Sequence, residues 1–570
     1  MDSTNGQIAG HLLVECLAAQ GVTHAFGVPG ESFLAVLDGF HAYRDRISFI
    51  TARHEGGACF MAEAAGKLTG RPGVCFVTRG PGATNASIGI HTAYQDSTPL
   101  VLFVGDVGSE FRDREAFQEL DFRTFFGPST GGMAKRVERI DSPERLPEYI
   151  ARAFATAMNG RPGPVVLVLP EDMLIQIVNI RPLSRVEPVA AAVAPNDLVR
   201  LRELLVDAKR PLVIAGGSGW SVASAKALQR FAENWSLPVI NDFRCQDVFD
   251  NHHFLYAGDA GIAINPKLAQ RIRDSDLVLA LGTRLGEMMS SGYSLLEAAK
   301  PHQRLIHIYP GAEELNRVFQ ADLAILATVD AACMALEAMQ APANCTWLDS
   351  TKAAHKEYQA NFERHSLPGQ VDMHEVLTII SKHLPVEAVL TNGAGNFATW
   401  LHRYHRYHGL AKGFKTQLAP ASGAMGYGVP SAVAASIVTG RVAFTLAGDG
   451  DFMMNGQELA TAIQFGGKTI VVIVNNSMLG TIRMHQEREF PTHETSTRLV
   501  NPDFAALARS YGYAGERVEK TDEFEAAFVA AIARREGTVI DVIIDPEALT
   551  TRATLSAIRD VALKRQAAGK

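Results

Sequence analysis

The chain lacks the paired cysteines that would signal a disulfide framework or a structural zinc. Its six cysteines, Cys16, Cys59, Cys75, Cys245, Cys333 and Cys345, stand singly, with no CxxC and no histidines at zinc-finger spacing. Cys59 and Cys75 fall within apolar patterns and read as buried, inert thiols. An excess of positive charge is missing too. The formal net charge is −7 over 570 residues with both signs interspersed, which leaves no electrostatic footprint for nucleic acid or an anionic membrane. No uncharged apolar stretch reaches membrane-spanning length, and the first residues lack a basic segment followed by an apolar core and a cleavage site. The expectation is a cytoplasmic protein that acts on a small soluble molecule, with neither nucleic acid nor membrane as partner. What the chain does have is core material: 47% of residues are hydrophobic and 20% charged, in a length that exceeds what one core supports.

Strand-like and helix-like runs alternate along most of the chain. Apolar runs at 73–78, 100–104, 165–169, 211–215, 238–240, 277–281, 388–391 and 538–544 read as strands, and 56–68 reads as a helix. Two stretches interrupt the pattern and read as linkers: 181–195, rich in Val, Ala and Pro, and 340–369, polar and Pro-containing. The fold class is therefore α/β, with three doubly wound parallel-sheet domains.

The most informative local pattern lies towards the C-terminus. An apolar run at 441–447 ends in Gly448-Asp449-Gly450, and a second at 469–474 ends in Asn475-Asn476, with a helical pattern at 455–465 between them. Strand, helix and strand in that order make the two strands parallel, so Asp449 and Asn476 share one sheet edge. Ligands of open parallel sheets bind there, and a carboxylate beside an amide oxygen suits Mg²⁺ shared with a bound diphosphate. GDG alone is also ordinary turn chemistry; the asparagines at the next strand end are what favour a site.

Two further signals lie near the N-terminus. Glu55, in Arg53-His54-Glu55-Gly56-Gly57-Ala58, opens a predicted helix, where a first-turn glutamate ordinarily complements the helix dipole. Gly80-Pro81-Gly82-Ala83-Thr84-Asn85 reads as a Gly-rich turn between strand and helix, suited to close approach by a ligand.

HEGGA, GPGATN, AYQDSTPL, AFQELD, GAMGYGVP, GDG and the Asn pair occur in this order over the whole chain. In this it resembles the thiamine-diphosphate enzymes of the acetolactate synthase and pyruvate decarboxylase superfamily, the acetolactate synthase-like members above all. The resemblance implies a pyrimidine-binding domain at 1–182, a central Rossmann-like domain at 190–345, a diphosphate-binding domain at 370–550 and a tail at 551–570. It makes Asp449, Asn476 and the Met478 carbonyl the Mg²⁺ ligands. Gly448, Gly450, Asp451 and Gly480 become the diphosphate-holding turns, with Asn396 assisting, and Asn85 is a further cofactor-binding residue. Glu55 is implied to hydrogen-bond the pyrimidine ring as the catalytic acid, with Met425 bending the cofactor and the Gly423 carbonyl accepting from its amino group. His91, Gln118 and His485 are the substrate-facing candidates. A homodimer whose sites combine two subunits, or a homotetramer, is implied as well.

The match has departures. His485 stands where biosynthetic acetolactate synthases carry Trp, Gly131 where they carry Lys, and Arg284-Leu285-Gly286-Glu287-Met288 where they carry a flavin-binding RFDDR-like segment. These weigh against FAD and against the branched-chain biosynthetic role. The Gly-rich segment 215–221 is compatible with a nucleotide cradle or with packing alone. His402, His405 and His408, interleaved with Arg403 and Arg406, read as a solvated basic segment rather than a metal face. The expected activity is decarboxylation of a 2-oxo acid, most simply pyruvate, with ligation to a second carbonyl. The alternatives are a non-ligating decarboxylase and a non-catalytic cofactor-binding protein.

Overall fold

The computed structural model describes residues 6–127 and 132–569. Among them are three parallel six-stranded sheets flanked by helices. The first contains β1 (His24–Gly27), β2 (Ser48–Thr51), β3 (Gly73–Thr78), β4 (Leu100–Asp106), β5 (Arg136–Arg139) and β6 (Pro164–Pro170) in the order β2-β1-β3-β4-β6-β5. The second contains β7 (Pro211–Ala215), β8 (Val239–Asn241), β9 (Tyr256–Asp259), β10 (Leu277–Leu281), β11 (Arg304–Tyr309) and β12 (Leu323–Leu326) in the order β9-β8-β7-β10-β11-β12. The third contains β13 (Val389–Asn392), β14 (Gln417–Leu418), β15 (Ala443–Gly448), β16 (Thr469–Asn475), β17 (Ala514–Val518) and β18 (Thr538–Ile543) in the order β14-β13-β15-β16-β18-β17. The first and third sheets share one strand order. The second follows the dinucleotide-fold order, with its switch point between β7 and β10.

The strands read as continuous apolar runs because both faces of each sheet are covered. In β10, Leu277, Leu279 and Leu281 enter one core while Val278 and Ala280 enter another, the period-two alternation of a sheet buried on both sides. By chain contacts the protein forms two compact units. Of the described residues, one comprises those up to 189 with 433–440 and 455–467; the other comprises 190–432, 441–454 and those from 468 on. The first sheet belongs to the former, the second and third to the latter.

Several sequence expectations need correction. The helix expected at 455–465 is a 3₁₀ turn, Gly456–Glu458, followed by a short helix. The Gly80–Asn85 stretch is not a turn but the start of a helix at Arg79, since a proline near a helix start costs no hydrogen bond. The 340–369 linker contains a 13-residue helix whose Thr351, Ala354 and Tyr358 are buried. The tail folds into a helix, Leu555–Ala567, begun by Thr554, whose hydroxyl caps the Ala557 amide. The histidine triplet is not a solvated basic face. His402 Nδ1 donates to Gln246 Oε1 at 2.8 Å, His405 pairs with the Ser381 hydroxyl at 3.0 Å, and desolvation pushes both rings down to about 3.

Candidate active site

In the first unit, α1 (Glu55–Thr69) starts directly after β2, and His54 caps it by accepting the Gly56 amide at its own Nδ1, 3.0 Å away. Glu55 Oε2 accepts the Asn85 side-chain amide at 2.9 Å, and Asn85 sits on α2 (Arg79–Asp96). A Cβ on Gly82 would lie 3.5 Å from Glu55 Oε1, so the Gly-rich start of α2 keeps that side of the carboxylate open. Gln118 adopts φ of 65°, and its carbonyl accepts the Gly80 amide at 2.9 Å, which pins its segment to the start of α2. His91 is exposed on α2. Cys59 and Cys75 are buried, and burial raises the Cys75 thiol, as an inert reading requires.

Sequence reasoning missed the residue that fixes this helix start. Glu458, fully buried, precedes α7 (Leu459–Phe465) in the same unit. Its Oε1 accepts the amides of Arg53 and His54, both at 3.0 Å, and its Oε2 accepts the Thr461 hydroxyl at 2.6 Å. Burial pushes its carboxyl up, and these donors pull it back. A Cβ on Gly57 would come within 2.6 Å of the same Oε1. No local pattern signals a partner some four hundred residues away.

In the second unit, Gly448 of β15 lies level with Val474 of β16, so Asp449 and Asn476 follow adjacent strand ends. Asp449 is the first residue of α6 (Asp449–Asn455) and is 3% exposed. Its Oδ1 accepts the Gly450 amide and its Oδ2 the Asn501 side-chain amide, both at 2.8 Å. Desolvation raises its carboxyl, opposed by Asn501 and by amides of the Asn476 turn. Asn501 also donates to Asn475 Oδ1 at 3.0 Å, and Asn475 donates to buried Asp541 at 3.0 Å. Asn501 therefore ties the two strand ends together; it too went unread, since it sits in a loop without a motif. Of the asparagine pair, Asn475 is the buried structural member, and Asn476 is left beside the edge, its Oδ1 accepting the Met478 amide at 3.2 Å.

The turn after Asn476 leads into α8 (Gly480–Glu489), where the Gly480 amide donates to the Met478 carbonyl at 2.9 Å. That carbonyl keeps a second lone pair. Met425, between Gly423 and Gly426 at φ of 69° and 77°, reaches the GDG loop: a Cβ on Gly450 would lie 3.9 Å from its methyl. The Asp451 side chain faces inward, where its Oδ1 accepts the amides of Gly426 and Ala394, so it holds two loops in place. Burial pushes its carboxyl up to about 7. Asn396 Oδ1 accepts the Thr481 hydroxyl at 3.1 Å, which commits that amide to α8.

The chain matches three family models of the thiamine pyrophosphate enzymes: the N-terminal TPP binding domain at 8–125, the central domain at 198–336 and the C-terminal TPP binding domain at 393–542. It belongs to the thiamine pyrophosphate enzymes. The enzyme is 30% identical to the acetolactate synthase large subunit of Parasynechococcus marenigrum (strain WH8102), over 93% of this chain and 86% of that one. It is 29% identical to acetolactate synthase isozyme 2 large subunit of Escherichia coli (strain K12), over 94% and 95%. The probable acetolactate synthase large subunit of Methanocaldococcus jannaschii is also 29% identical, over 94% and 91%. The enzyme is thus thiamine-diphosphate-dependent and acetolactate synthase-like.

Where the enzyme departs from the biosynthetic pattern, Gly131 lies outside the described residues, and His485 is exposed on α8. The C-terminal helix packs against α8: Met484, Leu549 and Leu555 form a small core, and Arg559 pairs with the buried Glu487 at 2.7 Å. In the central domain, a Cβ on Gly216 would meet that of Asp242 at 2.2 Å and one on Gly217 the Gly282 carbonyl at 2.0 Å. Those two glycines are there for packing at the switch point. No helix among the described residues is long and apolar enough to cross a membrane.

Proposed function

We propose that the enzyme decarboxylates a 2-oxo acid, pyruvate in the simplest case, and joins the resulting two-carbon unit to a second carbonyl, with thiamine diphosphate and Mg²⁺ as cofactors. The observation that carries this reading is the pairing of Asp449 and Asn476 at adjacent strand ends, in a chain that also presents Glu55 at a helix start. The donor set fits the metal: a carboxylate, an amide oxygen and the Met478 carbonyl are hard oxygen ligands, and a divalent cation would hold the buried Asp449 ionised against its upward drift. The amides of Gly450, Asp451 and Gly480, at the starts of α6 and α8, are the proposed phosphate donors, those of Gly450 and Gly480 exchanging their bonds to Asp449 Oδ1 and the Met478 carbonyl for phosphate oxygens. Thiamine diphosphate, when bound, supplies an electron sink for the pair left by decarboxylation.

The chain's own residues do the rest. Glu55 holds a proton at its carboxylate for exchange with the cofactor's ring nitrogen, Asn85 orients it, and Met425 props the cofactor from the diphosphate side. Gln118, His91 and His485 are the groups proposed to meet substrate. Two chains build one site in this proposal, with Glu55 from one and Asp449 from the other, so a homodimer is the smallest active form and a homotetramer is compatible. Exposed apolar side chains beside the cofactor segments, Ile88 on α2 and Met453 and Met454 on α6, support a covered surface there.

The test is CO₂ release from pyruvate and a panel of 2-oxo acids, with cofactor and Mg²⁺ supplied. Acetolactate from pyruvate alone supports the ligating reading, and acetaldehyde in the headspace would replace it by simple decarboxylation. No release from any member of the panel would end both. Glu55→Gln is expected to abolish proton exchange at C2 of the bound cofactor while sparing its binding; unchanged exchange would remove Glu55 from the mechanism.

A further inference from the structure

His402, His405 and His408 go separate ways, and the third meets a different loop. His408, just past α5 (Phe397–Tyr404), lies beside Asp250 and His252 of the segment between β8 and β9. One ligand atom from each of Asp250, His252 and His408 lies within 4.8 Å of the other two, and the two imidazoles stack with centroids 4.4 Å apart and planes 17° apart. We propose that these three side chains form a binding site for a borderline divalent transition metal, Zn²⁺ in type, which clips the central domain to the C-terminal domain within one compact unit.

The backbones that carry the ligands are already locked together. The Asn251 amide donates to the Tyr407 carbonyl at 2.9 Å, and the Tyr407 amide donates back to Asn251 Oδ1 at 3.0 Å, so the residues adjoining His252 and His408 form a reciprocal pair. Gly409 has φ of 76°, and a Cβ there would lie 2.6 Å from the Asp250 amide nitrogen, so glycine permits this close approach. Asp250 Oδ1 accepts the His252 amide at 2.9 Å, which steadies the carboxylate and leaves Oδ2 for a cation.

The surrounding charges divide. Arg406 opposes a cation, but its guanidinium rests 4.2 Å from the Phe362 ring centroid, and His405 is held neutral, so the Asp250 charge offsets that of Arg406. Two neutral imidazoles and one carboxylate are the ligand types of open zinc sites, with water completing the sphere. Coordination requires the two stacked rings to turn out of their parallel arrangement so that one nitrogen of each converges with the Asp250 carboxylate, a side-chain rotation at one exposed and two half-buried positions. The site is separate from the oxygen-only cluster at Asp449 and does not rest on its assignment.

The experiment uses untagged full-length protein with thiamine diphosphate and saturating Mg²⁺, so that the diphosphate site is filled. Titration with Co²⁺ is expected to give one equivalent of bound metal with strong visible ligand-field absorption, displaced by Zn²⁺. His252→Gln, His408→Gln and Asp250→Asn each should weaken Co²⁺ binding by about 10-fold or more without altering basal activity. Zn²⁺ should raise the melting temperature of the parent but not of His408→Gln, a readout that also reports whether the variant is folded. Absence of the absorption, or its survival in folded His252→Gln and His408→Gln proteins, overturns the proposal.

Discussion

Glu458, itself fully buried, accepts from three donors, the part-buried amides of Arg53 and His54 and the buried Thr461 hydroxyl. Glu458→Ala leaves the Arg53 and His54 amides without partners and is expected to destabilise the protein by about 2–4 kcal/mol, at roughly 1–3 kcal/mol per buried unsatisfied group. Glu458→Gln keeps the Oε1 acceptor and should retain most of the stability. If the clamp positions Glu55, the alanine variant should also lose kcat with little change in KM for the cofactor; parallel losses in both would mark general unfolding. Asn501→Ala frees Asp449 Oδ2 and Asn475 Oδ1 from their shared donor. The Mg²⁺ concentration for half-maximal activity is expected to rise about 10-fold, the usual scale for losing a group that orients a ligand. Neither Glu458 nor Asn501 was legible in the sequence, since each works through a partner remote in the chain. Asp449 and Asn476 were, since strand ends and hard oxygen donors are local features.

Helix α1 shows how an element delivers a side chain. It is buried along nearly its whole length from Gly56 to Gly66, and its small residues let it lie against α2 and β3. Gly89 of α2 has no room for a Cβ, which would sit 2.5 Å from both Cβ and Sγ of Cys59. Gly57→Ala drives a methyl against Glu458 and is expected to cost about 1–3 kcal/mol, the range for overpacking, read as a shifted denaturant midpoint with an unchanged slope. At the other end of the chain, residues 551–570 read only as a tail, and 555–567 form a helix. Its place is set by Leu555 and by the ion pair of Arg559 with Glu487, contacts that only folding brings together. The 340–369 segment reads as a linker because it is polar and contains proline. There Tyr358 stands edge-on to Tyr256, and Trp347 donates to the Trp235 carbonyl at 2.8 Å.

At the scale of the molecule, the seam carrying His402 and His405 makes stability depend on pH. Both rings are held neutral, with desolvation the main cause and, for His402, the Arg244 charge next. An unfolded histidine binds its proton near pH 6.5, whereas these fold with values of about 3. Their contribution is therefore present above pH 6.5 and lost as pH falls towards 3. His402→Asn retains a side-chain donor for Gln246 and removes the titration, so its melting temperature should fall less steeply between pH 6.5 and 4.5 than that of the parent. An equal slope in both proteins would assign the acid sensitivity elsewhere.

The sequence by itself determined the α/β class, the positions of most core strands and the placing of Asp449 and Asn476 after neighbouring strands of one sheet, because period, apolar runs and strand-end residues are written within short windows. It misjudged the 340–369 segment and the histidine triplet, because burial by distant residues decided each, and it read as a turn the helix start at Arg79, where Pro81 costs no hydrogen bond. The shared strand order of the first and third sheets, the dinucleotide-type order of the second, the Glu458 clamp and the meeting of His252 with His408 came only from tertiary structure. They depend on which strands become neighbours and on how closely glycines such as Gly57 and Gly409 let two backbones approach, and no local pattern encodes either.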